Sequence, residues 1–114
     1  MSGTAGAQID LLAMLFHGLS EPSRLAILAA LWTGEKRVSD IVATTRLSQP
    51  NASKQLSCLR DCGLVERERR GREAHYRVAP AAKELLGAAD AFLAVHGDEI
   101  ASCPRYGVRR RRAA

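Results

Sequence analysis

Apolar residues recur at helical spacing through most of this chain and alternate in one stretch. Ile9, Leu12 and Phe16 mark one face of a helix over residues 7–19, and Leu11 and Leu15 mark another, so this helix needs two burial partners. Ser20 offers an N-cap and Pro22 a first-turn residue for a second helix. Leu25, Leu28 and Trp32 are expected on its core side, with Gly34 ending it. Val38, Ile41 and Val42 predict a short third helix over 38–44, and Arg46 and Leu47 form a tight link to the next. That fourth helix has clean ends: Ser48 as cap, Pro50 in the first turn and Gly63 as a left-handed stop. Ala52, Leu56 and Leu59 give it one narrow inward stripe. After Gly63 the period falls to two. Val65, Ala74, Tyr76 and Val78 alternate with charges, and Arg70-Gly71 marks the turn of a β-hairpin. Helical spacing returns over 81–96, where Leu85, Ala89, Phe92 and His96 share a stripe with Leu86 and Leu93 beside it.

Two helices joined by a three- or four-residue turn, the second polar outside, describe a helix-turn-helix, and a hairpin directly after it is a wing. The expected fold is therefore mainly α with a β-hairpin wing. The first and last helices keep apolar faces without partners inside so short a chain, so they are read as the interface of a homodimer. With 114 residues there is room for one domain. Residues 1–6 are expected to be a disordered N-terminus, 7–97 the DNA-binding and dimerisation domain, and 98–114 a flexible tail carrying Cys103 and a basic end.

The net charge of +5 favours a polyanionic partner, although Arg109 to Arg112 supply part of it from the very end. The outer face of the fourth helix presents Ser48, Gln49, Asn51, Ser53, Lys54, Gln55 and Ser57. These are short or amide side chains with one cation and no carboxylate, suited to base edges and phosphates. Arg67, Arg69, Arg70 and Arg72 crowd the hairpin tip and point to phosphate contact. The partner is then double-stranded operator DNA, palindromic if the protein is a two-fold dimer. Aromatics make up only 4% of the chain, which argues against single-strand binding by base stacking. No apolar run reaches membrane-spanning length and no signal-peptide pattern opens the chain, so a cytoplasmic protein without a membrane partner is expected. No nucleophile–base pair, phosphate loop or paired-carboxylate site is visible, which excludes an enzyme. The pattern names no companion protein.

Three cysteines, an odd number in a reducing compartment, favour metal or redox chemistry over a disulfide framework. Cys58 and Cys62 are an i, i+4 pair with Cβ atoms about 5–6 Å apart, wide for a disulfide but not for two thiolates sharing an ion. Asn51, Gln55, Cys58 and Cys62 lie along one flank of the fourth helix, within roughly 60° of arc. The residues alone leave open whether the two thiols half-pack as small apolar groups or form a site.

SEPSRLAILAAL, VSDIVATTRLSQPNASKQLSCLRDCGLV and ERRGREAHYRV resemble the second helix, helix-turn-helix and wing of the ArsR/SmtB family of metal-sensing winged-helix regulators. The likeness covers about Ile9 to His96. Within the family, LSCLRDCGLV is most similar to the CmtR-type cadmium/lead sensors. The resemblance implies a homodimer whose DNA affinity falls when metal binds, and a site made of Cys58, Cys62 and Cys103. Three thiolates are soft donors that favour Cd²⁺ or Pb²⁺, with Zn²⁺ possible. The family's third-helix thiol motif is missing at Val38 to Asp40. Of its last-helix zinc motif only His96 and Glu99 match, because Lys83 and Leu85 stand where the first half would be. A borderline ion such as Ni²⁺ would have His96, Glu99 and His17 as donors. A thiol-redox regulator and a non-sensing DNA-binding protein of the same fold are the alternatives.

Overall fold

A computed structural model of the chain describes residues 5–107. The elements in order are α1 (Ala5–Leu19), α2 (Pro22–Leu31), β1 (Lys36–Arg37), α3 (Val38–Thr45), α4 (Gln49–Asp61), β2 (Val65–Arg70), β3 (Glu73–Val78) and α5 (Pro80–Ala101). They divide into two compact units, Met1–Ala79 and Pro80–Ala114.

In the first unit the core is built from α2, α3, α4 and the base of the hairpin. Ile27, Leu28, Leu31, Ile41, Leu56 and Leu59 are its largest fully buried side chains. Ala52 and Leu56 are both 0% exposed and Leu59 is 1%, so the narrow stripe of α4 faces inward as its spacing predicts. Leu25 and Trp32 do not: they are 42% and 39% exposed. Helix α2 is apolar nearly all round, so spacing alone does not choose its buried side, and Ile27, Leu28 and Leu31 take that role.

The helix ends follow local chemistry. Pro22 is the first residue of α2, which makes Glu21 the cap in place of the expected Ser20. The Glu21 carboxylate accepts from the backbone N–H of Ser23 at 2.8 Å and of Arg24 at 3.3 Å. Ser20 instead closes α1, its hydroxyl donating to the His17 carbonyl at 2.7 Å. α2 stops at Leu31, three residues before Gly34. Ser48 caps α4 by accepting from Asn51 N–H at 3.2 Å. Gly63, at φ 77°, ends the helix in a Schellman turn: Leu64 N–H reaches Leu59 O at 2.9 Å and Gly63 N–H reaches Arg60 O at 3.1 Å. Between α3 and α4, Arg46 is the one non-glycine residue with positive φ among those described, at 63°.

The hairpin is antiparallel, pairing Val65 with Val78 through Arg70 with Glu73, so the loop is Gly71-Arg72 and not Arg70-Gly71. A third strand, unforeseen because two residues carry no periodicity, pairs Lys36 with Tyr76 and Arg37 with His75, giving the order β1-β3-β2. On α1, Ile9, Leu11, Met14 and Phe16 are exposed.

In the second unit α5 runs through Gly97 to Ala101, past the expected stop at His96. On it Phe92, Leu93 and Val95 are exposed. The expected disordered N-terminus starts outside the described residues, but Ala5 and Gly6 already belong to α1. Arg109 to Arg112 also lie outside them.

A Cβ on Gly63 would meet nothing within 4 Å, so Gly63→Ala tests backbone strain alone. It should cost about 1–2 kcal/mol, read as a lower urea midpoint with an unchanged slope.

Candidate functional site

The outer surface of α4 is polar and open. Ser48, Gln49, Ser53, Lys54 and Ser57 are exposed and Asn51 is half-buried, so these expected DNA-facing residues are brought together on one helix. Gln55 departs from the expectation. It is 8% exposed, the one buried polar side chain among the described residues. Its Oε1 accepts from Arg24 Nε at 2.9 Å and its Nε2 donates to Asn51 Oδ1 at 3.2 Å. Arg24 also donates through Nη1 to Gly18 O at 2.7 Å, at the end of α1. Gln55 therefore holds Asn51 and is not itself presented to a ligand.

Strand alternation sorts the hairpin charges onto two faces. One face carries Arg37, Glu66, Glu68, Arg70, Glu73, His75 and Arg77, with Glu35 beside it. Here Arg70 forks onto both oxygens of Glu35 and donates to Glu68 at 3.1 Å. Arg77 pairs with Glu66 at 3.0 Å and with Glu68 at 3.1 Å, and Arg37 pairs with Glu73 at 2.7 Å. His75 Nδ1 lies 3.8 Å from Glu35. Hydrogen bonds from Arg70 and Arg77 hold the Glu68 carboxyl below its ordinary value. The opposite face carries Val65, Arg67, Arg69, Ala74, Tyr76 and Val78. Arg67, Arg69 and the loop residue Arg72 are exposed and make no ion pair within the described chain. Of the four arginines expected to meet phosphate, Arg70 is thus already neutralised by glutamates, and Glu35, its main partner, was not anticipated.

The three cysteines are free thiols. Cys58 and Cys62 lie one turn apart on one side of α4: Cys62 caps its end, and the Cys62 N–H donates to the Cys58 carbonyl at 3.1 Å. Partial burial first, then the neighbouring Cys58, push the Cys62 thiol above its ordinary value, while the Arg24 guanidinium works against them. Cys103 lies beyond α5, in a turn whose Cys103 carbonyl accepts from Gly107 N–H at 2.9 Å. A Cβ on Gly107 would fall 2.7 Å from Cys103 N and O, so the turn closes only on glycine. The backbone N–H groups of Arg105 and then Tyr106 hydrogen-bond the Cys103 sulfur and lower its ordinary value. This turn lies within the segment expected to be a flexible tail. His96 Nδ1 and Glu99 Oε1 are 2.9 Å apart on α5, and His17 is exposed on α1. Among the described residues no three His, Cys, Asp or Glu side chains gather as a metal cluster within the single chain. Nor is any helix among them long and apolar enough to cross a membrane.

A family model described as "Bacterial regulatory protein, arsR family" matches residues 21–67. The chain is 34% identical over 97 residues to the probable mercury resistance operon repressor of Streptomyces lividans, covering 84% of this chain and 78% of that protein. It is 38% identical over 90 residues to the HTH-type transcriptional regulator CmtR of Mycobacterium bovis, covering 77% and 76%. Among solved structures, a homodimeric winged helix-turn-helix DNA-binding domain from Mycobacterium bovis, a possible ArsR-family regulator, superposes with a TM-score of 0.73 at 30% identity, covering 87% of this chain and 95% of that one. Fold, polar recognition helix and relatives agree: the chain is a winged helix-turn-helix member of the ArsR family, whose proteins are DNA-binding transcriptional repressors and not enzymes.

Proposed function

We propose that the protein is a metal-responsive transcriptional repressor that acts as a homodimer on a palindromic operator. Gln49, Asn51, Ser53, Lys54 and Ser57 face the base edges and phosphates of the major groove, and Arg67, Arg69 and Arg72 contact phosphate alongside. Cys58, Cys62 and Cys103 are the donors for a soft ion, Cd²⁺ or Pb²⁺ in preference to Zn²⁺. The observation that carries the reading is the pair of free thiols one turn apart at the end of the helix whose earlier turns form the polar surface. Relatives named for mercury resistance and for CmtR support a metal effector. Exposed apolar side chains on α1 and on α5 support a dimer, as does the homodimeric structural neighbour.

The donor set fits such an ion. Two thiols one helical turn apart lose little freedom when they share it, and backbone N–H groups at Cys103 shift its thiol in the direction that favours thiolate. When bound, the ion supplies a soft link among three thiolates. The chain does the rest. α4 is unbroken from Gln49 to Asp61, so a pull at its last turn moves the side chains of its first turns. A coupling of about 1–3 kcal/mol changes DNA affinity five- to 150-fold.

The paired free thiols also favour a second reading, in which oxidation of the same cysteines is the signal. Anaerobic titration of reduced protein with Cd²⁺ or Pb²⁺, with a duplex selected by the protein present, separates the two. Thiolate-to-metal absorption should grow as DNA affinity falls within that five- to 150-fold range; unchanged affinity at saturation refutes metal sensing. Cys103→Ser should remove the response and leave metal-free binding intact.

The wing is tested by salt. Arg67→Ala and Arg69→Ala should each weaken binding to all duplexes alike and reduce the slope of log affinity against log salt by about 1. Arg70→Ala, which removes a charge already shared by two glutamates, should change that slope clearly less.

A further inference from the structure

The chain Arg24–Gln55–Asn51 has a fixed polarity. A guanidinium only donates. Arg24 Nε therefore requires the oxygen end of Gln55, at 2.9 Å, which turns the Gln55 NH₂ toward Asn51. That NH₂ in turn requires the oxygen end of Asn51, at 3.2 Å. Each amide is oriented by the one before it, and the origin of the order is a cation also anchored to Gly18 O at 2.7 Å. Gln55 is buried and has no other orientation that satisfies Arg24. The NH₂ of Asn51 is left as the outward end.

We infer that Arg24 and Gln55 are specificity-determining positioning residues: they lock Asn51 with its oxygen turned inward to Gln55, so that its NH₂ donors are the end offered to the DNA. The inference rests on the proposed role of Asn51 as a base reader. A locked donor selects base edges made of acceptors. In the major groove guanine shows only acceptors, N7 and O6, thymine shows O4, adenine shows the N7 acceptor beside its N6 donor, and cytosine shows only its N4 donor. Asn51 then favours guanine or thymine and disfavours cytosine at the position it meets. An unlocked asparagine would turn over and accept either.

Gln55→Glu tests the polarity with little change of shape. The new carboxylate still accepts from Arg24, now with charge assistance, but has no donor for Asn51. The Asn51 amide should turn its NH₂ inward and its oxygen outward. Binding to a randomised duplex library, followed by sequencing, reads the outcome. At one position the preference should move from guanine or thymine toward cytosine by about 2- to 12-fold, the worth of one neutral hydrogen bond. Asn51→Ala should flatten that same position. If Asn51→Ala flattens it and Gln55→Glu leaves it as in the unaltered protein, the positioning inference is overturned while the base-reading role stands. If Asn51→Ala changes nothing, Asn51 is not a base reader and both fall. A measurement on the unaltered protein guards against a misfolded variant. The Gln55 side-chain amide should exchange with solvent at least about 10-fold more slowly than that of Asn51 by NMR, since hydrogen-bonded, buried amides are protected. Equal rates would overturn the lock.

Discussion

Burial of one narrow stripe, Ala52, Leu56 and Leu59, governs the rest of this molecule. A 13-residue helix held by so thin a line of side chains leaves most of its circumference free for polar chemistry. Its ends are fixed independently of that stripe, by the Ser48 hydroxyl at one end and the Gly63 turn at the other. Leu59 and Leu64, joined by the backbone hydrogen bond of that turn, are both buried, so the stop of α4 is also the start of the hairpin's packing. Helix and wing are thus set by one short continuous piece of core.

The wing solves a different problem. Eight charged residues within the fourteen from Val65 to Val78 would repel or collapse at random if their faces were mixed. Alternation separates them. Glutamates fall opposite Arg70 and Arg77 on one face and are absent from the face that carries Arg67 and Arg69. Exposed pairs of this kind add little to stability. Their effect is orientation: Glu35, outside the hairpin, holds Arg70 and sits 3.9 Å from Arg77, so the strands are tied to the loop before β1. Arg67 and Arg69 remain uncompensated, which is the condition for a cation to release counterions from a phosphate backbone.

Much of this was written in local signals. Helical spacing, the Ser48 cap, Gly63 and the change of period after it each depend on neighbours a few residues away, and each was legible. So was the i, i+4 thiol pair. What escaped depends on partners distant in sequence. Gln55 lies beside the buried stripe and looks like any surface amide until Arg24, 31 residues earlier, closes over it. Arg70 reads as one of four equal arginines until Glu35, 35 residues earlier, takes it. β1 is too short to have a period at all. The cap of α2 moved from Ser20 to Glu21 for a local reason that was readable: proline at the first helical position fixes the cap one residue before itself. α5 passed Gly97 because Asp98 to Ala101 are compatible with helix and the glycine needs no positive φ there.

Arg24 brings these threads together. Its guanidinium fastens the end of α1 through Gly18 O, fixes the direction of the Gln55–Asn51 chain, and is felt at Cys62 as a favourable charge. A half-buried cation is costly to leave unsatisfied, so its two hydrogen-bond partners, Gly18 O and Gln55 Oε1, are not independent of one another. A change in charge or position at the thiol end of α4 alters the field at the group that orders its polar surface. The proposed coupling of sensing to DNA grip then needs no large rearrangement. Redistributing the partners of one side chain is of the same order as the 1–3 kcal/mol, roughly, that such coupling requires.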